Sequence, residues 1–163
     1  MQCKNLILFI FGIIILSSLG SAAVYVNTTE DMGHDLNAGG ALIYPATGMK
    51  ILANVDGSIV SIIKDSDTNA TVAYVMNASK YVLGTATFVG NQANFSIPVD
   101  ITQETIYYLM VNKTSGTYTQ RYKTGITLPI NTGVINWTHG VNEVPTESTT
   151  EIIMITGAII QVG

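Results

Sequence analysis

The sequence predicts an all-β fold: a single antiparallel β-sandwich, jelly-roll or immunoglobulin-like, set behind an N-terminal signal peptide. Three observations carry the prediction. β-branched residues dominate, and after the first segment no run shows the 3.6-residue apolar spacing of a helix. Short apolar stretches recur every ~8–12 residues between turn clusters of Gly, Asp, Asn and Pro, the pattern of an antiparallel sandwich or barrel. The chain of 163 residues is one domain's worth of material and long enough to enclose a core.

Residues 1–23 come first and are set apart from the fold. Met1 to Asn5 carries one Lys, Leu6 to Leu16 is apolar apart from Gly12, and Ser21-Ala22-Ala23 supplies the small side chains that signal peptidase requires. The expected cut falls after Ala23. An apolar run of 11 residues is short of the ~20 that a membrane span needs, so no span is expected after cleavage. Cys3 precedes the run, which leaves the mature chain without cysteine and hence without disulfides or thiolate metal sites.

Residues 24–40 read as a polar lead-in, and 41–163 as the sandwich domain. Within it strands are expected at 41–44, 49–55, 58–64, 70–76, 81–88, 92–97, 105–112, 117–123, 133–138 and 151–162. Val89-Gly90-Asn91-Gln92 and Thr114-Ser115-Gly116-Thr117 have the composition of tight hairpins. Alternation puts Val72, Tyr74 and Met76 on one face of their strand. Both faces of 105–112 are apolar, so that strand is expected at the centre of a sheet. The segment 151–162 reads as a closing strand kinked at Gly157, or, if left unpaired, as a strand donated to a neighbouring subunit.

Charge bounds the function. Charged residues make up only 11% of the chain, while Thr, Ser and Asn are abundant, so neutral hydrogen-bonding groups cover the surface, as is common outside cells. The net charge of −4 supplies no excess of Lys and Arg to displace phosphate counterions, which argues against nucleic acid. Six sequons occur, at Asn27, Asn69, Asn77, Asn94, Asn112 and Asn136, where composition alone would give about two. Their excess fits an extracellular glycoprotein.

The stretch from Ile59 to Thr138 holds Ala70-Thr71-Val72-Ala73-Tyr74-Val75-Met76, then Gly84-Thr85-Ala86-Thr87-Phe88-Val89-Gly90-Asn91-Gln92, Thr105-Ile106-Tyr107-Tyr108-Leu109-Met110-Val111, Tyr118-Thr119-Gln120-Arg121-Tyr122 and Val134-Ile135-Asn136-Trp137-Thr138. It resembles a β-sandwich module of archaeal and phage surface proteins, often found beside laminin-G or concanavalin-like lectin domains. The resemblance implies an extracellular sandwich in an adhesion or sugar-binding context and brings no catalytic motif.

No enzyme is expected. His34 and His139 lack a nucleophile setting such as G-x-S-x-G, and no carboxylate pair has a spacing that assigns acid–base roles. Asp65, Asp67 and Asn69 offer oxygen ligands on alternate residues in the manner of a calcium loop, yet the same residue types make turns by bonding their own backbone. Glu30, Asp31, His34 and Asp35 form a second acidic cluster, read as a solvated loop. The binding candidates are Tyr118, Gln120, Arg121, Tyr122 and Trp137, with Tyr81 and Tyr108 next: aromatic faces stack on sugar rings while amide and guanidinium groups bond hydroxyls. Trp137 could instead fill the core. The expected role is recognition or adhesion toward glycans or surface proteins, and the alternative is a structural subunit of a filament, surface layer or virion that self-assembles by strand exchange.

Overall fold

A computed structural model of the chain describes residues 24–27, 37–42, 46–66, 68–115, 118–124, 127–142, 147–149, 151–153 and 155–163. The signal-peptide segment, the cluster of Glu30, Asp31, His34 and Asp35, and Asp67 lie outside the described residues. Among those described the fold is all-β, with no helix. The strands are β1 (Val24–Asn27), β2 (Asn37–Leu42), β3 (Thr47–Ala53), β4 (Gly57–Lys64), β5 (Val72–Asn77), β6 (Val82–Val89), β7 (Gln92–Ile101), β8 (Ile106–Asn112), β9 (Tyr118–Thr124), β10 (Ile130–Asn131), β11 (Ile135–Asn142), β12 (Glu147–Ser148), β13 (Glu151–Ile153) and β14 (Ile155–Val162).

Every pairing is antiparallel. One curled sheet runs β1-β14-β4-β7-β6-β5-β8-β3-β11-β10, with β12 also on β11, and a separate sheet runs β13-β9-β2. The concave side of the curl holds the core: Met49 and Ile51 of β3, Ile59 and Ile62 of β4, Val75 of β5, Leu109 of β8, Ile135 and Trp137 of β11, and Ile160 of β14. Each fully buried aliphatic side chain there contributes about 1.5–3 kcal/mol relative to exposure. Gly48 lets β3 and β8 close up, because a Cβ at that position would lie 2.0 Å from the Leu109 carbonyl oxygen.

The strand at 105–112 lies between β5 and β3, and both its faces are buried. Tyr107, Leu109 and Val111 enter the core, while Tyr108 and Met110 join Val141 in a second cluster on the other face. Two expectations change, and two questions that the sequence leaves open are decided. The core-facing residues of β5 are Ala73 and Val75, whereas Tyr74 and Met76 pack against the second cluster, because the small residues fit the crowded interior. The polar lead-in contains β1 and the start of β2. The turn expected after residue 97 is a bulge, beyond which β7 continues to Ile101. Finally, β14 pairs with both β4 and β1 and shifts register at Gly157, as expected of a closing strand.

Candidate functional site

Among the described residues, hairpin β6–β7 is where two neighbouring strands of the sheet part soonest. Gly90, with φ +62°, makes the tight turn, but the two strands pair only beside it, at Phe88–Ala93 and Val89–Gln92. Beyond that point β6 stays with β5 and β7 with β4. Two sequence features cause the divergence. A Cβ on Gly84 would sit 2.4 Å from Val99 Cγ2, so Val99 of β7 packs directly on the β6 backbone and the strands cross face to face. Pro98 cannot donate a ladder hydrogen bond, and the β4 register passes from Ile59–Val99 to Ser61–Asn94, leaving 95–98 as a bulge. Alternation would send Ile97 inward beside Phe95 and Val99; the bulge turns it out to 80% exposure.

Between the strands lies an open groove of about 230 Å³, lined by Leu83, Gly84 and Thr85 from β6 and by Phe95, Ser96, Ile97 and Pro98 from β7. No lining side chain is ionisable. Tyr81, Val82 and Leu83 extend the apolar surface along β6. Strand edges that part after two ladder positions, beside apolar side chains, are suited to an extended polypeptide. The polar side chains of the groove lining are the hydroxyls of Thr85 and Ser96.

A second polar locus lies at the β3–β8–β11 centre. Lys50 Nζ donates to Glu147 Oε2 at 2.8 Å, and the Tyr108 hydroxyl donates to Glu147 Oε1 at 2.9 Å. A bulge at Thr138, whose Oγ1 donates to the Lys50 carbonyl, reverses the alternation of β11 and sets His139 opposite Lys50. Burial and the bond to Glu147 push the Tyr108 hydroxyl up to about 12. Burial alone would raise the Glu147 carboxyl, but the bonds from Lys50 and Tyr108 and the charges of Lys50 and His139 outweigh it and hold the carboxyl below its ordinary value. The carboxylate is already spoken for on both oxygens, so this locus ties strands together.

The sequence-predicted binding residues do not form one platform. Tyr118, Gln120, Arg121 and Tyr122 lie on β9, the middle strand of the small sheet. Trp137 is a correction: it lies in β11 at 0% exposure inside the core, where the bulky indole is the largest fully buried side chain, and it offers no face to a ligand. Tyr108 is likewise buried, and Tyr81 is exposed beside the groove.

At the expected calcium loop, Lys64 Nζ donates to the Thr68 carbonyl at 2.6 Å and stands 5.2 Å from the centre of the Phe88 ring. Burial lowers the Lys64 amine from its ordinary value, against the pull of Asp65. A protein cation thus occupies the turn that carries Asp65 and Asn69. Among the described residues no group of three His, Cys, Asp or Glu converges. The groove was not singled out from sequence, although the run Tyr81-Val82-Leu83 and the strand positions of Gly84 and Pro98 are its signals.

No family model matches the chain, and no curated protein matches it.

Proposed function

We propose that this chain is an extracellular, non-catalytic β-sandwich module that acts as a structural subunit, adding the strand of a second copy at the β6–β7 edge. The observation that carries this reading is the diverging hairpin. It combines strand edges that part after two ladder positions with a neutral groove and with Tyr81, Val82, Leu83 and Ile97 exposed around it. Natural edges are blunted by charge, proline or bulges; here β7 carries Pro98 and the 95–98 bulge, while on β6 only Lys80 flanks the apolar run. Among the described residues β1 and β10 end the large sheet, so a second copy brings strand edges of its own there. Such head-to-tail contacts build rings where the rotation between copies closes and filaments where it does not. The two arms of the curl, β1-β14-β4-β7 and β6-β5-β8-β3-β11-β10, would be the facing layers of the sandwich.

The test is light scattering coupled to size exclusion across a concentration series, with Leu83→Lys/Ile97→Lys as the control. Growth of the wild type into higher species, lost in the double variant, supports assembly. A wild type that stays monomeric at all concentrations removes it. A second reading, recognition of glycans or surface proteins, is favoured by the position of Tyr118, Gln120, Arg121 and Tyr122 at the centre of a separate three-stranded sheet. A glycan array with Tyr118→Ala and Tyr122→Ala variants tests it.

A further inference from the structure

The sequons at Asn69, Asn77, Asn94, Asn112 and Asn136 are equivalent in sequence but not in structure. Asn94 and the hydroxyl-bearing Ser96 both lie exposed on β7, on the same side of the strand. The Asn94 Oδ1 accepts from Gln92 Nε2 at 2.8 Å, a bond between exposed side chains. Asn69 is exposed in the turn before β5. That turn sits against the hairpin tip, since the Lys64 N–H donates to the Asn91 carbonyl and Gln92 pairs with Ile63.

Asn136 has the opposite setting. It is half-buried in β11 between Leu52 of β3 and Asn131 of β10. Its Oδ1 accepts from Asn54 Nδ2 at 3.1 Å, and the same Asn54 amide also reaches Asn131 Oδ1 and the Gly133 carbonyl at 3.4 Å. A sugar on Asn136 would have to break into this amide cluster between strands. Asn77 and Asn112 are half-buried, each with its Oδ1 accepting a local backbone N–H.

We infer that Asn69 and Asn94 carry N-linked oligosaccharide, clustered at the hairpin-tip end of the sheet, and that Asn136 stays bare. This rests on the extracellular reading. The donor class is a polyprenyl-phosphate- or pyrophosphate-linked oligosaccharide of a secretory route. The bond from the anomeric carbon to the phosphate oxygen breaks, a bond from that carbon to the Asn Nδ2 forms, the amide proton is lost to a base, and the lipid phosphate leaves. No electrons change hands.

The experiment expresses the full chain in a eukaryotic secretory host in two forms, one relying on its own leader and one with a host leader placed ahead of it. Glycans are released enzymatically in heavy-oxygen water, which tags each formerly occupied Asn, and peptides are mapped by mass spectrometry. Failure of only the first form to reach the medium contradicts the secretion reading and leaves the second to test the sites. The expected result is tags at Asn69 and Asn94 and none at Asn136, with one glycan mass lost in each of Asn69→Gln and Asn94→Gln. Absence of tags at both Asn69 and Asn94, or a tag at Asn136 in monomeric folded protein, overturns the inference.

Discussion

β8 and β6 flank the same strand, β5, yet they end in opposite states. β8 is paired along both edges and buried on both faces; β6 is paired with β5 along its length, meets β7 at only two positions, and is exposed over most of its residues. The contrast follows from side chains. β8 presents large apolar groups on both faces, so each needs a cover. β6 places Gly84 and Ala86 toward the core, lets β7 lie across it, and leaves Val82, Leu83 and Val89 uncovered. One strand spends its apolar surface on stability, the other keeps it available for contact.

Breaking the central region gives the largest effects. Trp137→Ala removes the largest fully buried side chain and is expected to cost about 3–5 kcal/mol, read as a lower denaturation midpoint at unchanged slope. Gly84→Val, which drives a Cβ into Val99, is expected to cost about 1–3 kcal/mol by the same measurement.

Glu147→Gln comes next, at about 1–2 kcal/mol near neutrality, since it weakens a partly exposed ion pair with one added hydrogen bond. The pH dependence sharpens it. Because the folded-state pKa of Glu147 lies below the ordinary 4.5, its contribution is present above that value and is lost as pH falls through the folded value. Wild type and variant should therefore converge in stability in acid. At the other limb Tyr108, raised from 10.0 to about 12, keeps its proton longer when folded, so its contribution falls away between those values and is absent in Tyr108→Phe. Leu83→Lys and Ile97→Lys should change folding stability least, by no more than about 0.5 kcal/mol, because both side chains already face solvent.

Much of the fold was legible because period-two apolar patterning reports strands directly, and the turn at Gly90-Asn91 and the central position of β8 followed from it. What patterning could not supply was the inward side of β5, where both alternating sets are apolar and the fit of Ala73 and Val75 decides. The bulges at Thr138 and at 95–98 reverse alternation locally, and they are what place His139 near Glu147 and expose Ile97. The groove was hidden for the same reason: it arises from a glycine in one strand and a proline in the next, neither of which carries an apolar period. Trp137 showed the reverse ambiguity, since an indole suits a sugar platform and a core equally until its strand's direction is known.

The most direct test of the contact reading is the mass of the protein in solution as concentration rises, measured by light scattering for wild type and for Leu83→Lys/Ile97→Lys. The account predicts concentration-dependent growth of the wild type, with the double variant equally stable and monomeric throughout. Identical masses for the two proteins at every concentration would contradict it.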